Sequence, residues 1–351
     1  MQTKLLKIDR QNFTDSDLKE AGEIIRNGGL AAFPTETVYG LGGNAFDPEA
    51  ASKIYAAKGR PSDNPLIVHI ADMDGLDGIV ECVPDTAKKL ADAFWPGPMT
   101  LVMNKKPSVP DRTTGGLKTV AVRMPADEVA RALIRVSGVP IAAPSANRSG
   151  RPSTTKAQHC IEDLDGRIDM IIDGGSVEIG LESTIVDLTG EVPMLLRPGA
   201  VTLEMLKSVL GRVDIDPAII GPMSEDVRPK APGMKYKHYA PKAELTIVMG
   251  APEKVRDRIN ELTAADIAAG KKVGVIATVE SRNAYHDQTV LKIMGMRNDE
   301  STVAHNLFAI LREFDDTGVD VIYSEGFEDS GIGRAIMNRL RKAAGYSILE
   351  V

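Results

Sequence analysis

The stretch KTVAVRMPADEVARALIRVSGVPIAAPSANRSGRPS, Lys118 to Ser153, decides the fold class. Side chains of an extended chain alternate between two faces. Thr119, Ala121 and Arg123 therefore share one side of a strand over 119–124, and Val120 and Val122 the other. Residues 127–136 follow with helical spacing. Residues 140–143 form a second apolar strand, which runs into a loop of serine, asparagine, glycine and arginine. Strand, helix, strand and an open polar loop make an α/β unit.

Working outward, Thr14 followed by an acid at Asp17 marks a helix start, and the helix runs to Asn27 before Gly28-Gly29 stops it. Residues 30–33, 66–70 and 99–103 read as strands, and 48–57 and 84–94 as helices. Beyond the loop, 154–163 and 202–210 are helical, and 170–172, 184–188 and 194–196 are strands. The elements mix without strict alternation, so residues 1–210 predict a twisted, mixed sheet with helices rather than a purely parallel one.

Residues 211–241 carry prolines and glycines with little periodicity and read as a linker. Within it, PGMKYKHYAP (232–241) is dense in cations and aromatics. It reads equally as a plain tether or as a segment folding over a ligand. Residues 242–351 then alternate: strands at 245–249, 273–277 and 319–323, helices at 253–268, 301–315 and 332–344. That predicts a smaller Rossmann-like α/β domain.

Apolar residues make up 43% and charged residues 26% of the 351, so each half has material for a core. A net charge of −7 argues against a general basic surface that coats nucleic acid. Any anion site must come from a few convergent cations. The two cysteines, Cys82 and Cys160, lack metal-ligand spacing and read as two buried free thiols. The N-terminal residues lack the apolar core of a signal peptide, and no apolar run is long enough to span a membrane. A cytoplasmic location is expected.

The standard nucleotide signatures are missing: there is no GxxxxGK[ST] loop, no HExxH and no GxSxG. Gly40-Leu-Gly-Gly-Asn-Ala45 formally matches a dinucleotide fingerprint, but Phe46-Asp47-Pro48 delays any helix. A glycine-rich turn beside a site is the better reading. Four clusters remain. PTETVYG (34–40) follows a strand, where α/β folds place ligands, and Thr35 and Thr37 offer hydroxyls. KGRPSDNPL (58–66) puts Lys58 and Arg60 at a helix end, which suits the helix dipole; the two proline steps also stiffen it into a possible triphosphate clamp containing Asn64. His69, in the strand beyond, reads as a hydrogen-bonded core residue or a ligand contact. Arg123 on a core-lined strand needs an anion, which a structural carboxylate or a ligand carboxylate would supply equally. In APSANRSGRPS (143–153), small residues allow close approach of a ligand to backbone, and Ser145, Asn147 and Arg151 add polar groups.

Taken together and in this order, PTETVYGL, KGRPSDNPL, VAVRMP, APSANRSGRPS, ESTIVD (182–187) and LLRPG (195–199) resemble the YrdC-like threonylcarbamoyl-AMP synthase family. The resemblance covers roughly residues 14–210. PGMKYKHYAP and GIGRAIMNRLRKAAG (331–345) are similar to its long, two-domain form. The resemblance implies a YrdC-like catalytic domain over 1–210, a linker or lid over 211–241, and a C-terminal domain over 242–351.

It further implies synthesis of threonylcarbamoyl-AMP and pyrophosphate from L-threonine, bicarbonate and ATP, for the threonylcarbamoyladenosine modification of tRNA, with partner proteins performing the transfer. The family's Lys-x-Arg and Ser-x-Asn correspond to Lys58, Arg60, Ser145 and Asn147, the implied catalytic set. Thr35 or Thr37, His69, Arg123, Ala143 through its backbone and Ser183 are implied around threonine. Lys58, Arg60, Asn64, Thr119, Ser145, Ser153, Arg197 and Tyr239, with Tyr236 as alternative, are implied around ATP. Mg²⁺ is expected to enter on the phosphates with mostly water ligands. Two rivals are an RNA-structure-binding module without chemistry, and the carbamoyl-adenylate chemistry of hydrogenase maturation, whose acylphosphatase and zinc-finger regions are not visible here.

Overall fold

Asp47, Asp127 and Thr202 each cap a helix: their side chains accept from Glu49 N, Ala130 N at 3.1 Å and Met205 N at 3.3 Å. Gly59, Gly138 and Gly211 end the same three helices with φ of 62°, 67° and 79°. These local rules carry into a computed structural model that describes residues 2–219, 221, 229–232 and 239–351. The chain divides into two units, Met1–Ser149 with Ser153–Lys235, and Gly150–Pro152 with Tyr236–Val351.

In the first unit the order is β1 (Lys4–Lys7), α1 (Lys19–Arg26), β2 (Ala31–Phe33), β3 (Gly40–Asn44), α2 (Pro48–Lys58), β4 (Ile67–His69), α3 (Asp85–Phe94), β5 (Met99–Asn104) and β6 (Thr119–Arg123). Then come α4 (Glu128–Ser137), β7 (Ile141–Ala143), α5 (Ala157–Leu164), β8 (Met170–Asp173), β9 (Thr184–Asp187), β10 (Met194–Arg197), α6 (Leu203–Leu210) and β11 (Asp214–Ile215). The strands join in one mixed sheet, ordered β1-β8-β2-β3-β7-β4-β6-β5-β9-β10-β11. The mixed sheet is the one expected.

Some elements differ from the sequence reading. The glycine-rich stretch from Gly40 is no turn but the buried strand β3, antiparallel to β2 and β7. Its glycine is sterically required: a Cβ on Gly42 would lie 2.6 Å from Ile141 Cγ2 and 2.8 Å from Phe33 Cε1. The first helix opens as a 3-10 turn, Asp15–Leu18, where the Asp17 carboxylate accepts from Thr14 N at 2.7 Å. The helix expected from 154 starts at Ala157. Cys160 is buried as expected, but Cys82 is exposed; both are free thiols.

Alternation sorts the sheet's side chains. Val68, Val120 and Val122 face a core built with α2, α3, α5 and α6. On the other side, α1 and α4 cover Ala31, Phe33, Ile141 and Ala143. Farther along that side, Ala218 and Ala231 cover Ile67, Val102, Ala121, Ile185 and Leu196. Polar side chains occupy the floor in this part of the sheet.

The second unit contains β12 (Glu244–Met249), α7 (Pro252–Ala268), β13 (Val273–Thr278), β14 (Val290–Gly295), α8 (Glu300–Asp315), β15 (Val321–Glu325), α9 (Gly333–Ala343) and β16 (Ile348–Glu350). Its five strands are ordered β14-β13-β15-β12-β16, and every pairing is parallel. On β13, Val275 and Ala277 pack with Val255 and Ile259 of α7. Gly274 points the other way, where a Cβ would meet Phe314 of α8 at 2.6 Å. Helices therefore cover both faces, which is the Rossmann-like arrangement expected. Among the described residues, no helix is long and apolar enough to cross a membrane.

Candidate active site

Three neighbouring strands set the floor. His69 on β4 lies opposite Arg123 on β6, and Arg123 opposite Thr100 on β5. Register partners share a face, so these three polar side chains form one row. Arg123 is 3% exposed. Its Nη1 donates to Thr37 Oγ1 at 2.8 Å, its Nε to Gly97 O at 3.3 Å, and its Nη2 lies 2.8 Å from Glu36 Oε1. The alternatives left open for Arg123 are thus partly resolved: a structural carboxylate, Glu36, stands beside it.

The remaining residues expected around threonine gather here. Thr35 Oγ1 donates to Val38 O at 2.6 Å and stands 2.8 Å from Thr37 Oγ1, so both threonines are locked in one turn. Ser183 Oγ is 2.8 Å from Thr100 Oγ1, at the other end of the row. Ala143 pairs with Ile67, two positions from His69 on the same strand. His69 is buried, with Nδ1 3.2 Å from Ile67 O and its ring edge-on to Phe33 at 6.1 Å. Burial, helped by the Arg123 charge, pulls its pKa down from 6.5 to about 3. His69 is therefore a neutral hydrogen-bonding group near neutral pH.

A second group borders this pocket. The buried Lys58, at the end of α2, donates through Nζ to the carbonyls of Ser145 and Asn147. Ser149 N donates back to Lys58 O at 2.9 Å. Ser145 Oγ donates to Asn147 Oδ1, and Asn147 Nδ2 to Arg148 O at 2.8 Å. Lys58, Ser145 and Asn147 are thus one polar assembly. Arg60 braces its own loop, donating to Asn64 O at 3.4 Å and Pro65 O at 3.2 Å. Asn64 is 1% exposed, and its Oδ1 finds no donor among the described residues. Ser153 Oγ donates to Glu182 Oε1 at 2.6 Å. The two groups join through backbone: Leu41 N donates to Pro144 O at 2.9 Å and Ala146 N to Tyr39 O at 2.8 Å.

Thr119, Arg197 and Tyr239 are the other residues expected around ATP. Thr119 opens β6 opposite Asn104, four residues or about 13 Å along the strand from Arg123. Arg197 is buried and donates to Ser183 O at 3.0 Å, Ser183 Oγ at 3.1 Å and Pro232 O at 3.2 Å. In this structure it organises the pocket's serine. Tyr239 belongs to the second unit, with φ of 68° and its ring 4.9 Å from Phe308 of α8. The expected lid, with Tyr236, lies mostly outside the described residues. Within 211–232, Lys230 Nζ meets Asp187 Oδ2 at 3.0 Å, and Ala231 is fully buried.

Glu36, Thr100 and Glu182 were passed over in the sequence. Glu36 did carry a signal, as the one charge in PTETVYG directly after a buried strand. Thr100 carried none, since a threonine in a strand is ordinary.

A family model described as "Telomere recombination", covering Sua5, YciO and YrdC proteins, matches residues 23–199. Another, "Threonylcarbamoyl-AMP synthase, C-terminal domain", matches residues 201–345. The chain is similar to a threonylcarbamoyl-AMP synthase of Pyrococcus abyssi, 52% identical over 97% of this chain and 98% of the relative. A Bacillus subtilis protein of the same name is 48% identical over 97% of each. Among solved structures, P. abyssi Sua5 complexed with L-threonine superposes with a TM-score of 0.94 at 50% identity, covering 99% of this chain and 100% of that one.

Proposed function

The chain belongs to the threonylcarbamoyl-AMP synthase family, and we propose that it forms threonylcarbamoyl-AMP and pyrophosphate from L-threonine, bicarbonate and ATP at the site built on Arg123 and Lys58. The observation that carries the reading is the deeply buried Arg123, set in one row with His69 and Thr100 beneath two locked threonines, next to a loop organised by a lysine. A buried guanidinium among hydroxyls suits the carboxylate of a small amino acid. Thr35, Thr37, His69, Ser183 and the backbone at Ala143 would line its side chain.

The reaction needs little covalent help from protein. The threonine nitrogen takes up the carbon of bicarbonate to give a carbamate, with loss of water. A carbamate oxygen then attacks the α-phosphorus of ATP in line, and pyrophosphate leaves. Positioning and charge compensation carry both steps. Lys58 fixes the 145–149 loop, presenting Ser145 and Asn147. Arg60, Asn64 and Ser153 would meet the nucleotide. Thr119 and Tyr239 would also meet the nucleotide, and Arg197, expected there from the sequence, would instead hold Ser183 at the threonine pocket. Mg²⁺ would arrive as part of the substrate, on the phosphates and water.

The product would serve tRNA modification in the cytoplasm, through partner proteins that carry out the transfer. One incubation tests the core of the reading: purified protein with MgATP, L-threonine and labelled bicarbonate. Label should enter an adenylate that forms only with threonine. ATP breakdown indifferent to threonine would sink it.

A further inference from the structure

Glu36 has a chemistry that the substrate roles above leave unused. Its backbone is pinned, since Ile179 N donates to Glu36 O at 2.8 Å and Gly180 N to the next carbonyl, Thr37 O, at 3.1 Å. Its side chain is buried, with 4% exposure of the residue. Oε1 is 2.8 Å from Arg123 Nη2, yet neither carboxylate oxygen nor Nη2 gains a properly angled hydrogen bond among the described residues. Distance says that the charges are paired; angle says that the acceptor capacity is unspent. A buried carboxylate left in this condition is costly unless a donor reaches it.

Charge balance narrows the donor. Arg10 Nη2 lies 3.1 Å from Asp127 Oδ2, and both Arg10 and Glu36 act on Asp127 electrostatically. Arg10, Asp127, Glu36 and Arg123 thus form a buried or half-buried group of two cations and two anions. A ligand bringing only a carboxylate adds a net negative charge there. A zwitterion adds none. An α-amino acid presents its carboxylate and ammonium one carbon apart, which fits an arginine and a glutamate already in contact.

We propose that Glu36 is the ammonium-binding half of a zwitterion clamp whose carboxylate-binding half is Arg123, and that it selects a free α-amino acid over the same molecule without its amine. The inference rests on the placement of threonine at Arg123. The opposing possibility is that Glu36 merely stands in for the substrate carboxylate and competes for Arg123. The two predict opposite signs.

Calorimetric titration of the full-length chain with L-threonine and with 3-hydroxybutyrate, the deaminated analogue, separates them. In Glu36→Gln, threonine binding should weaken by about tenfold or more, while 3-hydroxybutyrate binds equally or better. MgATP binding should stay within about twofold, which checks the fold. Glu36→Asp keeps the charge and should keep the preference for threonine, which guards against a variant that fails to fold. Tighter or unchanged threonine binding in Glu36→Gln overturns the clamp in favour of the stand-in. Equal losses for both ligands overturn it in favour of a purely structural role. A wild-type protein that binds no threonine defeats the substrate placement itself, and the clamp with it.

Discussion

Arg197 grips Ser183 at two points, through Nε to the serine carbonyl at 3.0 Å and through Nη2 to its hydroxyl at 3.1 Å. A planar guanidinium spans both atoms with separate nitrogens in a fixed fork; a lysine has one point-like ammonium and would have to reach both from a single position. Arg197→Lys should therefore loosen Ser183 and raise the threonine KM about tenfold, with the ATP KM little changed. Steady-state kinetics with each substrate varied will check this. A dominant effect on ATP would instead put the side chain at the nucleotide.

Arg123→Ala removes the group assigned to the substrate carboxylate. The threonine KM should rise about 30- to 150-fold, as for loss of a charge-assisted hydrogen bond of about 2–3 kcal/mol. ATP should be much less affected. The variant also leaves Glu36 buried without its cation, so thermal or urea unfolding should report a loss of about 3 kcal/mol. Equal effects on the two substrates would count against the assignment.

Lys58→Ala takes away the ammonium that ties the carbonyls of Ser145 and Asn147. Turnover should fall roughly 100-fold, in the range seen when a preorganised polar group is lost. Threonine binding measured alone should survive. Unchanged turnover would remove the lysine from the chemistry.

The buried His69 makes a pH prediction with a definite sign. Its folded pKa, about 3, lies below the ordinary 6.5. Between those values the unfolded chain carries a proton that the folded chain refuses. The stability this group contributes is complete above about pH 6.5 and is lost progressively as pH falls towards 3. From pH 6 to 5 the wild type should lose up to about 1.4 kcal/mol per pH unit from this source, and His69→Gln should not. Urea melts at pH 7, 6 and 5 for both proteins give the comparison. Identical slopes would mean that His69 is protonated in the folded state.

What was legible in the sequence was what local rules control. The alternation at 119–123 put Val120 and Val122 in the core and Arg123 on the opposite face, where the structure has them. Thr14 with Asp17 announced its helix through capping chemistry, and the helices from 127 and 202 through their spacing. β3 was not legible, because a strand of glycines has no propensity to announce it; neighbours from other elements explain those glycines, Phe33 and Ile141 at Gly42 and Leu30, Ala50 and Ile54 at Gly43. β1 escaped because Lys4–Lys7 is short and mostly exposed, and is held by pairing with the distant β8. At the site, the residue types were readable and their partners were not. The pairing of Arg123 with Glu36 and the grip of Arg197 on Ser183 are tertiary facts with no sequence period behind them.

Phe33 has a consequence for how this protein can change. One edge of its ring forbids a side chain at Gly42, and the ring also meets His69 edge-on at 6.1 Å. A larger residue at 42 would need room at both Ile141 and Phe33, and a smaller residue at 33 strips His69 of its aromatic neighbour. Drift at position 42 of β3 is thus tied to the neighbours of His69. Substitution libraries at 33, 42 and 141 should recover active variants with a side chain at 42 only where 33 and 141 have both become smaller.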